Sequence, residues 1–242
     1  MDQIQQNKIL SDVKDWFKSV IVPNHILNTK KLINPTEFNI NPFLTPYLAG
    51  FFSGSLDPES VAKVLIYPRI LGTSITTSFG TNMQSFISDV LKNTVGSLVP
   101  GIDIEFTDAV DGRKKYCQVK LGPNTLNKDD VETIHNHFKS TRNLSRTNRV
   151  AIQLEDLVVG ILYGEPGQES AHYKRLKNEY SYPLYIGEEF WYRLTGNHDF
   201  YKMLQKAIAE AAAEAGASEL IQNTIRELSQ TQTIKDLAGD LS

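Results

Sequence analysis

The chain has 242 residues, a length that suits one domain with appendages or two small ones. Its 40% hydrophobic and 10% aromatic content exclude wholesale disorder, and its single cysteine excludes an internal disulfide or a zinc site built on several cysteines. The net charge of −3 is unevenly spread: residues 113–149 hold nine bases and three acids, while 101–112 hold Asp103, Glu105, Asp108 and Asp111 and no base. Acids that hold a divalent cation beside bases that hold a polyanion suit a metal-dependent phosphodiester site, although a solvated surface gives the same charges. The longest strongly apolar run, Leu157 to Tyr163, is far short of a membrane helix, and MDQIQQNK has no apolar signal core. These features lead us to expect a soluble cytoplasmic protein with no membrane partner.

In chain order, Ile4, Ile9, Leu10, Val13, Phe17 and Val20 predict an amphipathic helix over 2–20, stopped at Pro23. The Asn- and Pro-rich stretch 23–58 predicts irregular segments with short helices, and Pro58-Glu59 opens a helix to about Tyr67. Residues 81–93 carry Met83, Phe86, Ile87, Val90 and Leu91 on one helical face. Gly101 to Ala109 reads as a strand, Asp111-Gly112 as a two-residue hairpin turn, and Lys115 to Leu121 as the return strand. Arg113, Lys114 and Lys115 fall at the hairpin tip, where solvent exposure is expected. Lys128 to about Ser145 is helical, Val150–Leu154 β-like, Leu157–Tyr163 a strand buried on both faces, and Tyr182–Ile186 a short strand. Helices follow at 187–194, 199–215 and 218–229, and then a fraying tail. The order predicts an α/β chain with a small mixed sheet flanked by helices. The expected organisation is one domain over 1–242, with a helical and irregular extension at 1–70, a core at 71–196 and C-terminal helices at 197–242.

Period-2 geometry puts Gln118 and Lys120 on one face of the return strand, about 6.6–7 Å apart. Cys117 alternates away into the core. A two-residue turn brings Asp103 near that face, so a carboxylate, an amide oxygen and an ammonium surround one point, with the Val119 carbonyl between. Oxygen donors of this kind suit Mg²⁺. His135-Asn136-His137 spells HNH, but adjacent helical residues point about 100° apart, so the match is discounted.

Pro100-Gly101-Ile102-Asp103 followed by Gln118-Val119-Lys120 resembles the PD-(D/E)XK nuclease motif. Two departures stand out: the proline precedes the aspartate by three residues, and Gln118 stands where the family usually has Asp or Glu. Further segments resemble type II restriction endonucleases that cut interrupted GG–CC palindromes: Lys120-Leu121-Gly122-Pro123-Asn124-Thr125-Leu126-Asn127, Thr77-Ser78-Phe79-Gly80, Val158–Gly164, Gly187-Glu188-Glu189-Phe190-Trp191, and Asn41-Pro42-Phe43-Leu44-Thr45-Pro46. The matches run in order over about 41–204.

The resemblance implies a restriction-endonuclease-like core. It also implies a homodimeric, Mg²⁺-dependent enzyme in the bacterial cytoplasm, acting on double-stranded DNA and paired with a protective DNA methyltransferase. Asp103, Gln118 and the Val119 carbonyl would hold the metal, Lys120 would position the attacking water, and Glu105 or Asp89 would supply the missing charge. Asn124, Thr125 and Asn127, then Lys139, Arg142, Arg146 and Arg149, would contact DNA, with Lys174, Arg175 and Lys177 a second patch. Asn127 is equally a helix cap. The alternatives are a structure-specific repair or recombination nuclease of the same fold, and a non-catalytic DNA-binding module with a decayed site.

Overall fold

A computed structural model describes residues 1–147 and 152–239. In chain order the helices α1 (Gln3–Trp16), α2 (Val22–Lys31), α3 (Leu44–Ser53), α4 (Pro58–Pro68), α5 (Ile75–Thr81), α6 (Met83–Phe86) and α7 (Asn93–Val95) precede strands β1 (Ile104–Thr107) and β2 (Lys114–Lys120). Helix α8 (Lys128–Thr147), strand β3 (Leu157–Ile161), α9 (Ala171–Asn178), β4 (Leu184–Ile186), α10 (Glu188–Thr195), α11 (Phe200–Ala215), α12 (Ser218–Ser229) and α13 (Gln232–Gly239) follow. None of the described helices is long and apolar enough to cross a membrane. The chain divides into two compact units, one of Met1–Trp16 and Met83–Glu210, the other of Phe17–Asn82 and the segment from Ala211 onward.

The first unit carries a four-stranded sheet in the order β1-β2-β3-β4, in which β1 runs antiparallel to β2 and the other pairs are parallel. This is the mixed α/β architecture that the element order predicts. Every residue of β3 is buried, as its unbroken apolar run requires. On one face, Tyr116, Val159 and Ile161 pack with Val131, Ile134 and Phe138 of α8 and Tyr173 and Leu176 of α9. On the other, Gly160 has no room for a Cβ because the Phe190 ring and the Cys117 sulfur press against it. Trp191 is fully buried there, and its Nε1 donates to the Leu162 carbonyl at 2.9 Å. The second unit has its own core, in which Ala49, Val61, Ile66, Ile225, Leu228 and Ile234 meet.

Several expectations are corrected. Pro23 does not stop the helical path: the π-helical segment Phe17–Ile21 precedes it directly, and the chain continues through it as α2. The segment Leu154–Asp156 is a 3₁₀ turn rather than a strand, and residues 150 and 151 lie outside the described residues. The tail does not fray after Ser229, because α13 buries Ile234 and Ala238 in the second core. Helix α9 has no counterpart among the predicted elements.

The hairpin turn is also longer than two residues. Thr107 pairs with Lys114, so 108–113 form the connection. The cause is Asp108, which is fully buried and accepts from Arg193 Nη1 at 2.9 Å and from the Val110 N–H at 2.8 Å. Drawing it inward opens the loop. Relative to a turn closed at Asp111-Gly112, β1 slides by two positions, which leaves every side chain on its expected face.

Nor is Lys115 exposed. Only 1% of its surface is accessible, and its ammonium meets Asp111 Oδ2 at 2.5 Å, the Glu155 carbonyl at 3.3 Å and Asp156 Oδ1 at 3.5 Å. Asp156 also accepts from Arg113 Nη2 at 2.6 Å. Removing one member of a buried charge network leaves the others uncompensated. Lys115→Met is therefore expected to lower the unfolding free energy by about 3–5 kcal/mol in denaturant titration. Lys114→Met, which breaks the more exposed pair with Glu105, should cost about 1 kcal/mol or less.

Candidate active site

Strand β1 ends its pairing at Ile104 opposite Cys117, and Asp103 then clips onto β2 in two ways. Its N–H donates to the Cys117 carbonyl at 3.0 Å, and its Oδ2 accepts from the Val119 N–H at 2.9 Å. The two anchored groups flank Gln118, so the carboxylate is pinned to the middle of the Gln118-Val119-Lys120 segment. In an antiparallel pair a strand residue directs its N–H and C=O to the same edge. Val119 thus turns its carbonyl toward the edge where β1 has ended. Asp103 Oδ1 lies 3.9 Å from Lys92 Nζ, a cation carried by the π-helical segment Ile87–Lys92.

Tyr116, Gln118 and Lys120 share the face of β2 that α8 covers. Tyr116 belongs to the core beneath α8. Gln118, 6% exposed, directs its amide nitrogen to the Gly101 carbonyl and to His137 Nδ1, the latter at 2.5 Å. Lys120 Nζ lies 3.8 Å from Asp130 Oδ1, with both side chains about a third exposed. A pair so long and so wet is worth about 0–1 kcal/mol, which leaves the ammonium free to exchange partners.

Helix α8 runs back along β2, so residues two apart on the strand meet residues seven apart on the helix. The helix is anchored at its start by a reciprocal cap: Asn127 Oδ1 accepts from the Asp130 N–H and Asp130 Oδ2 from the Asn127 N–H, each at 2.9 Å.

The other predicted site residues fall as follows. Glu105 pairs with Lys114 at 2.5 Å and accepts from Ser97 Oγ at 2.5 Å. Burial alone would raise its pKa, but these two partners outweigh it and hold the carboxyl below its ordinary value. Asp89 is exposed on the same π-helical segment as Lys92. Thr125 Oγ1 is tied to the Gly122 carbonyl at 2.9 Å and the Tyr173 hydroxyl at 3.0 Å, while Asn124 is exposed. Lys139 is exposed and Arg142 half-buried on α8; Arg146 continues that helix, and Arg149 lies outside the described residues. Arg175 is paired with Glu132 and Glu179. Burial pushes the Cys117 thiol pKa well up, consistent with a packing role.

One residue that the sequence reading discounts, as part of the HNH spelling, is His137. Its signal was present in the helical period: it follows Ile134 by three and precedes Thr141 by four, on the stripe that faces the sheet.

Among the described residues no group of three or more His, Cys, Asp and Glu side chains converges to hold a metal. A cation at Asp103 therefore relies on amide and main-chain oxygens for its remaining protein donors.

Comparison with individual curated proteins finds no match. A model of the family described as type II restriction endonuclease EcoO109I matches residues 53–216, which include both hairpin strands, α8 and α10. That span is about two thirds of the sequence, and the chain belongs to this family of type II restriction endonucleases.

Proposed function

We propose that the protein is a homodimeric, Mg²⁺-dependent endonuclease that cuts both strands of DNA at a short palindrome, among the interrupted GG–CC type. The observation that carries the reading is the pinning of Asp103 to the backbone of Gln118-Val119-Lys120, because it puts a carboxylate and a main-chain carbonyl beside an amide oxygen and a lysine. The donor chemistry fits the metal. Asp103 Oδ1 has only a distant lysine, Val119 presents its carbonyl to an open edge, and Gln118 keeps its amide oxygen free of protein hydrogen bonds among the described residues. These are hard oxygens of the kind Mg²⁺ takes, with waters completing the shell. Of the carboxylates expected to add charge, Glu105 is already neutralised by Lys114.

When bound, Mg²⁺ acidifies a water and offsets negative charge on the phosphate. The chain's own work is positional. Lys120, on the same face as Gln118 and weakly held by Asp130, orients the attacking water. Water attacks phosphorus, the bond from phosphorus to the 3′ oxygen breaks, and the products carry a 5′-phosphate and a 3′-hydroxyl. Asn124, Lys139, Arg142, Arg146 and Arg149 are the proposed DNA contacts, with Thr125 and Asn127 holding the loop and helix that present them. A protective methyltransferase and a bacterial cytoplasmic setting belong to the same reading.

A palindrome calls for a two-fold dimer. The second unit offers a surface suited to one. No charged residue lies between Glu37 and Asp57. Within that stretch Phe43, Tyr47, Phe51 and Phe52 are 62–84% exposed, and Tyr47 stacks on Phe51 with centroids 6.0 Å apart. Four such rings present about 600 Å², most of the ~800 Å² that each partner contributes to a standard interface. The patch lacks the cations that hold a DNA backbone, and a two-fold axis would bury it against its own copy.

Digestion of a mapped plasmid is expected to give discrete bands in Mg²⁺ and none in EDTA. Lys120→Ala should reduce cutting by at least about 10³-fold while DNA retention in gel shifts stays within about twofold; cutting by that variant at the parent rate would remove Lys120 from the mechanism. Phe51→Glu is expected to shift the sedimentation of the protein from dimer toward monomer, and an unchanged dimer would place the interface elsewhere.

A further inference from the structure

We propose that His137 is a positioning residue that fixes the orientation of the Gln118 side chain, so that its oxygen rather than its nitrogen is offered to the metal. The inference rests on the reading of Gln118 as a ligand and adds to it the reason an amide stands there. The Gly101 carbonyl can only accept a hydrogen bond, so the Gln118 atom facing it must be Nε2. The same nitrogen meets His137 Nδ1, which makes Nδ1 an acceptor and puts the imidazole proton on Nε2. With both amide protons engaged, Oε1 is the atom left without a protein partner among the described residues.

The backbone is shaped around this contact. Gly101 has φ +80°, and a Cβ there would come within 2.5 Å of the His137 ring. Glycine is thus demanded twice, by its left-handed conformation and by the close approach of the imidazole. The ring itself is carried on α8 by a turn in which Thr141 Oγ1 donates to the His137 carbonyl at 2.9 Å.

A glutamate in place of Gln118 would set an acceptor oxygen where the amide nitrogen sits, against the Gly101 carbonyl and His137 Nδ1. Gln118 is therefore not a weakened acid. It is a neutral ligand whose direction is set by two acceptors, one from the loop before Asp103 and one from α8. Outer partners of this kind are worth about 10–100-fold in metal affinity or activity when removed.

The test uses the full-length protein, with Mn²⁺ binding followed by calorimetry and plasmid cleavage followed as a function of Mg²⁺ concentration. His137→Ala is expected to weaken Mn²⁺ binding about tenfold or more and to raise the Mg²⁺ concentration for half-maximal cutting in parallel. His137→Asn places an amide oxygen where Nδ1 sits and should recover both to within about threefold. Gln118→Glu is expected to bind Mn²⁺ less tightly than the parent while His137 is in place. If His137→Ala binds Mn²⁺ as the parent does, or if His137→Asn is as impaired as His137→Ala, the positioning role is overturned. A parent protein that shows the His137 dependence in Mn²⁺ binding yet cuts no DNA would keep this inference and sink the nuclease reading. Normal cutting with His137-independent metal binding would do the reverse.

Discussion

The hydrogen bond between the Asp103 carboxylate and the Val119 N–H sets the arrangement of this site. It forms because β1 stops pairing at Ile104, leaving a main-chain donor on the edge of β2 with no strand opposite. A buried or half-buried N–H that loses its ladder partner costs free energy until something replaces it. Here the replacement is a charged side chain, which makes the bond stronger than an amide ladder bond and fixes the carboxylate against the strand. Everything else follows from that position: Gln118 lies between the two β2 groups that Asp103 holds, Lys120 follows one residue on, and α8 closes over both.

The electrostatics of the site differ from those of a site with two carboxylates. Asp103 has Lys92 at 3.9 Å and a neutral amide at Gln118, and Asp130 of α8, which lies 3.8 Å from Lys120, is shared with the helix cap. A cation at Asp103 gains less from the protein than it would beside a second acid, so in the proposed reading the DNA phosphate contributes part of the charge that holds it. The same deficit makes the direction of the amide matter more. A neutral ligand binds through its dipole, and a dipole turned around offers a donor instead of an acceptor.

Much of the fold was legible because hydrophobic periodicity carried it. The run Leu157–Tyr163, the stripe on α8 and the alternation along β2 each predict the element found, and the mixed sheet follows from a hairpin placed before a crossover helix. What was not legible depended on partners distant in sequence. Arg193 draws Asp108 inward across 85 positions and so lengthens the hairpin loop, and nothing in an Asp-Gly dipeptide signals that competition. Lys115 reads as a tip residue until Asp156 is brought under it by the start of β3. The tail helix holds because Ile234 finds a core supplied by α4 and α12. For the site, residue types and spacing placed Lys120 on β2, whereas Asp103 lies just before β1 and not within it. The role of His137 was hidden because three contiguous residues of a helix suggest only a discounted HNH spelling, while the ring's partner, the Gln118 amide, lies on another element.

The survival of the site's geometry despite a misjudged turn has a physical reason. The pleat repeats every two residues, so a loop that takes three more residues from the β1 side and one from the β2 side shifts the register by two and keeps each side chain on its face. Asp103 then clips on beside Gln118 instead of lying opposite Lys120, and the face is unchanged. Had the shift been one, Asp103 and Glu105 would have turned to the side of Phe190 and Cys117, and Ile104 and Phe106 away from it. The burial of that second face, with Trp191 and Phe190 fully enclosed and Phe106 edge-on to Phe190, excludes the odd register and leaves Asp103 on the side of Gln118 and Lys120. The packing of an apolar face that takes no part in chemistry is thus what aims the polar one.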